Sequence, residues 1–227
     1  MVACLQGFSI RGKPTGRSLV TADPIQFDAR EIALLGDPAL FRLKAQVDAK
    51  LRRTLEAVHA ELRDECRTTA LQAPDEFDPD KMQLVKGEHL EHHPYQYLDY
   101  PKHFHGETTF TFRTLVWWGH HVVFAWLLEG GHLPLYKRRL LARYQDLVGQ
   151  ELEISLAPSL WEWKRGEGYT LPLLSDRRSH AAAVIERRSS LKVSRVVLTD
   201  DADIGAGRLP DLARAAFRGM LPIVARE

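Results

Sequence analysis

Apolar positions spaced three and four apart mark the first regular element. Leu40, Leu43, Val47, Leu51, Leu55, Val58 and Leu62 form one stripe behind Asp37-Pro38. There an aspartate can cap free N–H groups and a proline suits the first turn. The spacing predicts a helix from Pro38 to about Glu65, ~40 Å long at 1.5 Å per residue. After a solvated loop at Ala73 to Asp80, the period changes to two. Phe110, Phe112, Thr114, Val116 and Trp118 alternate with Thr109, Thr111, Arg113, Leu115 and Trp117, as on a strand. Gly119 interrupts the run, HHVVFAWLLE resumes it, and the two predict an antiparallel hairpin at the sheet centre.

Downstream, Leu140, Leu141, Tyr144, Leu147 and Val148 mark a helix from about Pro134, stopped by Gly149. Glu151 to Leu156 alternates as a strand, and Leu160 to Trp163 reads as a short one. A helix runs from Ser175-Asp176 to about Arg188 and VSRVVLTD forms a strand. The last helix starts at Pro210 with Leu212, Ala216, Phe217, Met220 and Leu221 facing inward. No repeat or linker divides the chain. The expectation is an N-terminal arm over residues 1–36, holding Pro14 and Gly16, and a single α+β domain over 37–227. That domain has a mostly antiparallel central sheet, the long N-terminal helix, and two or three further helices packed on it.

Composition narrows the function classes. At 227 residues with 44% apolar positions the chain can bury a core. Lys and Arg number 31 against 30 Asp and Glu, so no net basic field attracts nucleic acid, which is not expected as a partner. The longest apolar run, Val122 to Leu128, is far short of the roughly 20 residues that span a bilayer, so no membrane partner is expected. Cys4 and Cys66 stand alone without a CxxC pair, and the start MVACLQGFSIRGKPTG has no sustained apolar stretch. A cytoplasmic location is therefore expected.

The order of elements resembles the YktB-like family, small bacterial proteins described as a domain of unknown function. The counterparts are LFRLKAQVDAKLRRTLEAVHAEL, HVVFAWLLE, YKRRLLARYQDLV and LARAAFRGMLPI. The resemblance implies a similar succession of helices and strands and carries no assigned chemistry. The family's Arg-Arg segment with Asn-Pro-Pro and Trp, ahead of the hairpin, has no match here; the His-rich stretch occupies that place.

That stretch, HHPYQYLDYPKHFHG from His92 to Gly106, reads as a loop entering the hairpin. His89, His92, His93, His103, His105, His120, His121 and His132 account for most of the ten histidines. Imidazole is a common ligand for zinc, copper and iron. If residues 102–106 are extended, His103 and His105 share a face. A divalent-metal site would use His103 and His105 with His120, His92 or His93. No HExxH, GxSxG, GxxxxGK[ST] or GxGxxG string occurs, and HFHGE departs from the cupin spacing.

Arg113 in mid-strand must be paired, exposed, or line a wet cavity. The leading expectation is a pocket for a small molecule or peptide. Arg113 would hold an anionic group, Trp117 and Tyr97 would stack on the ligand, and His93, His103 and His105 would line the mouth. Asp99, Glu129 and His93 are the candidate acid-base residues. The alternatives are a metal-dependent enzyme built on the His cluster, and an accessory subunit that binds another protein by strand addition.

Overall fold

The computed structural model describes residues 25–226. The arm proper, with Pro14 and Gly16, and Cys4 lie outside the described residues. In the segment that ends at Leu43, α1 (Ala29–Leu35) opens with a capping box. The Asp28 carboxylate accepts from the Arg30 and Glu31 N–H groups at 2.7 and 2.9 Å, while Glu31 reaches back to the Asp28 N–H at 2.7 Å. Helix α2 (Pro38–Thr68) starts at the expected cap, Asp37, which accepts from the Ala39 N–H at 2.8 Å. Leu40, Phe41 and Leu43 are exposed. A compact unit starts at Lys44, and the apolar stripe of α2 is buried farther along, at Leu55, Val58 and Leu62.

The remaining elements run β1 (Gln83–Leu90), β2 (His93–His105), β3 (Thr108–Trp117), β4 (His121–Glu129), α3 (Leu133–Ala142), α4 (Tyr144–Leu147), β5 (Leu152–Ser155), β6 (Thr170–Pro172), α5 (Arg178–Glu186, entered through a 3-10 turn), β7 (Ser190–Leu198), α6 (Ala202–Gly205) and α7 (Leu209–Val224). Among the described residues the strands form one seven-stranded sheet in the order β1-β2-β3-β4-β7-β5-β6, with every pairing antiparallel. The α+β architecture with a central antiparallel sheet thus stands. Leu160 to Trp163, expected as a strand, is irregular and belongs to the long β5–β6 connection.

Both faces of β3 and β4 are covered, which is why nearly every residue of the two strands is buried. On one face Phe110, Phe112, Phe124, Trp126 and Leu128 join Leu55 and Leu62 of α2, Tyr136 of α3, and Phe217 and Met220 of α7 in the main core. The opposite face carries a smaller cluster, Leu115, Trp117, Val123, Ala125 and Leu127, roofed by Leu160 and Trp163.

The segment expected as a loop is the longest strand, β2. It folds onto β1 through a two-residue turn at Glu91-His92, with φ of 49° and 70°, flanked by the Leu90–His93 pair. Positive φ at both central positions is the hairpin turn whose right-handed twist suits paired strands. Here it is built without glycine or asparagine, so the usual signal is missing. Gly87 on β1 sits opposite Tyr95, and a Cβ there would fall 2.3 Å from the Tyr95 ring. The glycine is what lets the ring lie across the edge strand.

Cys66 on α2 lies against this core, and burial pushes its thiol up to about 12. A neutral buried thiol is a poor nucleophile. At pH 8 iodoacetamide is expected to modify Cys66 at least ~10-fold more slowly in the native protein than in urea, as read by peptide mass mapping. Equal rates would mean that the α2–β2 contact opens freely.

Candidate ligand-binding site

Register determines which side chains meet on the second face. Asp99 of β2 stands opposite Arg113 of β3, Arg113 opposite Ala125 of β4, Ala125 opposite Ser194 of β7, and Ser194 opposite Glu153 of β5. Direct antiparallel partners point the same way, so one row of polar side chains crosses the sheet with the small Ala125 in its middle. Lys192, two residues before Ser194, lies on the same face. All of these are buried.

Arg113 is the centre of the row. Its Nε and Nη2 donate to Asp99 Oδ1 and Oδ2, both at 2.7 Å, with Asp99 fully buried and Arg113 6% exposed. The guanidinium lies on the Tyr97 ring at 3.7 Å, and the rings of Trp161 and Trp163 stand at 5.1 and 5.4 Å. Two-point pairing and stacking are the arrangement that makes a buried guanidinium tolerable. The anionic partner expected from a ligand is therefore already present as Asp99. For the same reason Asp99, a candidate base, has both oxygens engaged.

Above the pair is a hollow of about 390 Å³ between the sheet and the β5–β6 connection. It is lined by Gln83, Leu90, Tyr95, Tyr97, Asp99, Phe104, Arg113, Leu115, Trp161 and Trp163. Trp161, 50% exposed, forms its outer wall. The connection is held down from beneath. Lys192 Nζ donates to the carbonyls of Leu160, at 3.1 Å, and Glu162, and lies 4.4 Å from the Trp163 ring. His121 Nε2 bonds the Trp163 carbonyl at 3.0 Å, Arg188 donates to the Leu156 carbonyl, and Lys164 pairs with Glu91 at 2.5 Å. Burial depresses the Lys192 amine to about 8. Burial also raises the Glu153 carboxyl above its ordinary range, against the pull of Arg165 and a hydrogen bond from Thr170. His121 is lowered by burial and held partly back by its bond to Trp163.

Of the expected site residues, Arg113, Tyr97 and Asp99 meet in this hollow and the rest do not. Trp117 lies on the correct face, but its Nε1 donates to the Leu90 carbonyl at 3.0 Å and the His120 ring stacks on it at 3.8 Å, so it is a packed wall beyond the pocket. His93 is turned toward the Glu91 carbonyl, 2.8 Å from Nδ1, and toward the His120 ring. Glu129 ends β4, paired across the sheet with Thr109 and Ser190, and does not line the hollow.

His103 and His105 were expected at the mouth and lie on the opposite face. A bulge between Asp99 and Lys102 shifts the register by one residue, and in a structure of period two that reverses every side chain beyond it. His103 now pairs with Phe110 and His105 with Thr108, while Phe104, opposite Thr109, takes the pocket side. His105 Nδ1 approaches Glu76 at 3.3 Å in an exposed contact. The pair also sits at the far end of β3, a 10-residue strand, from His120, roughly 30 Å away at 3.3 Å per residue. The metal site expected from His103, His105 and His120 therefore does not assemble. Among the described residues no three His, Cys, Asp or Glu side chains are placed to hold a metal ion.

Sequence reasoning missed the outer wall. The run Leu160 to Trp163 suggests a strand, and the signal that points instead to a covering segment is that two tryptophans two apart in a polar stretch need a surface to cover. Among the described residues no helix is long and apolar enough to cross a membrane. Comparison with protein-family models, with curated proteins and with solved structures gives no match.

Proposed function

We propose that the protein is a binding module whose ligand, a small molecule or a peptide side chain, enters the hollow between the Arg113 face of the sheet and the Trp161–Trp163 segment. The observation that carries this reading is an aromatic cavity of about 390 Å³ over a hydrogen-bonded Arg113–Asp99 floor, with a half-exposed tryptophan at its rim. Small-ligand sites share this composition, mostly apolar and aromatic walls with a few oriented polar groups, at roughly 300–1,000 Å³. Arg113 serves here as a positioning element: it stacks on the Tyr97 ring, while Asp99 balances its charge.

Trp161→Ala tests the reading, because this side chain is exposed and belongs to neither buried cluster. The variant is expected to keep its thermal midpoint within a few degrees. Fragments that perturb the tryptophan fluorescence of the parent should lose at least ~10-fold in affinity to it, the scale of one lost stacking wall. If no fragment in a library of small aromatics and aromatic dipeptides binds in a Trp161-dependent way, the hollow is a packing defect and the proposal falls.

A further inference from the structure

We infer that the hollow selects an uncharged planar ring bearing a carbonyl or amide-type group, and discriminates against both carboxylates and cations of the same shape. The inference rests on the binding reading above and adds the class of ligand.

The argument is one of charge compensation. Among the residues lining the hollow the only ionised groups are Arg113 and Asp99, and they are closed on each other through two 2.7 Å bonds. An anionic ligand would have to draw the guanidinium away and leave the fully buried Asp99 carboxylate without its partner. If the pair stayed closed, the ion would lose its own hydration and find no unpaired cation in the lining, since the Lys192 ammonium lies behind Trp163 with its donors turned to the Leu160 and Glu162 carbonyls. A cationic ligand fares no better. Both Asp99 oxygens already accept, the Tyr97 face is occupied by Arg113 at 3.7 Å, and the same guanidinium stands 5.1 and 5.4 Å from the Trp161 and Trp163 rings, where it repels a second cation. Lys192 and Glu153 lie on the same face, yet both are outside the lining.

A neutral ring disturbs none of this. It can stack on Trp161 or Phe104, whose ring centroids are 6.1 Å apart, within the usual range for aromatic neighbours. Guanidinium carries five N–H donors; Asp99 engages two of them and Tyr97 is a further hydrogen-bond partner, so a ligand carbonyl can accept from a remaining donor without breaking the pair. The Gln83 side-chain amide, also in the lining, supplies a neutral donor and acceptor. The specificity is that of a polar floor whose lining charges are paired with each other: it offers hydrogen bonds and no free ion-pair partner.

Benzamide, benzoate and benzamidine have nearly the same shape and differ in charge, so they isolate this point. Each is titrated at pH 7.5 into the full chain and into Trp161→Ala, with the indole N–H resonances as readout. Benzamide is expected to bind at least tenfold tighter than either ion, about 1.4 kcal/mol, and to lose that binding in the variant. Benzoate or benzamidine binding as tightly as benzamide, in a Trp161-dependent manner, overturns the inference and leaves the pocket standing. Benzamide binding unchanged in Trp161→Ala places it elsewhere and overturns the inference. No saturable response to any of the three removes both the inference and the pocket.

Discussion

Replacing Asp99 by Ala is expected to destabilise the fold by about 3–5 kcal/mol, the usual cost of leaving one member of a buried ion pair unpaired. Asp99 is fully buried and Arg113 nearly so, and among the described residues neither has another ion-pair partner. The guanidinium would remain beneath Trp161 and Trp163 with two donors lacking their acceptor. Arg113→Ala strands the carboxylate instead and should cost a similar amount. The double variant Asp99→Leu with Arg113→Met is the informative partner, since well-packed apolar replacements of buried pairs are often neutral. It should recover most of the loss in urea denaturation, giving a large favourable coupling in the mutant cycle. A single Asp99→Ala cost below ~1 kcal/mol would mean that water reaches the pair. The dry floor required for charge selection would then be absent.

The second large effect concerns Lys192 and pH. Its amine is lowered to about 8 from the ordinary 10.5, chiefly by burial. Below pH 8 both folded and unfolded chains carry the proton, and the folded state bears the full penalty of a buried ammonium. Between pH 8 and 10.5 the unfolded chain binds more protons than the folded one, so this group's contribution to stability rises with pH. Above 10.5 it levels off. The total change is on the order of 3 kcal/mol.

Other groups move the opposite way in alkali. Cys66 and the buried Tyr100 and Tyr136 resist ionisation in the fold. Comparing the parent with Lys192→Met cancels their contribution, because both chains contain them. The stability of the parent relative to Lys192→Met should be flat from pH 6 to about 7.5 and then climb toward pH 10 in urea midpoints. Parallel curves would show that the amine is hydrated in the fold.

The same variant removes the donor to the Leu160 and Glu162 carbonyls. Limited trypsin digestion at Lys164 or Arg165 should therefore accelerate by about an order of magnitude, since a local opening costs less once a charge-assisted bond is lost. Unchanged cleavage would assign the hold on this segment to His121 and the packing of Trp163 alone.

These expectations depend on features that were unevenly legible in the chain. Alternation from Thr108 to Trp117 placed Arg113 on one face with Thr111, Leu115 and Trp117, and the structure keeps it there. The requirement that a mid-strand guanidinium find a partner pointed to a special environment, without naming Asp99 as the partner. Tyr97 was expected to stack on a ligand and stacks on Arg113 instead. The histidines were misleading because residue counting assigned their faces: counting two by two is valid only in an uninterrupted ladder, and the bulge before Lys102 reverses it. The β1–β2 pair was invisible for a related reason. Its turn is made by Glu91 and His92 in a backbone conformation normally signalled by glycine or asparagine.

Local physics written in the sequence alone determined the long helix with its Asp37 cap, the central hairpin, the terminal amphipathic helix, the antiparallel α+β class, and the near balance of charge. Only the tertiary structure decided that Asp99 closes on Arg113, that His103 and His105 turn away, and that Trp161 and Trp163 form a roof pinned by Lys192 and His121. The reason is range. Periodicity and capping are set by residues a few positions apart. Register shifts and cross-strand pairing depend on which distant segments come to lie side by side, as does the covering of one sheet face by a connection that starts some forty residues later in the chain, from Arg113 to Leu156.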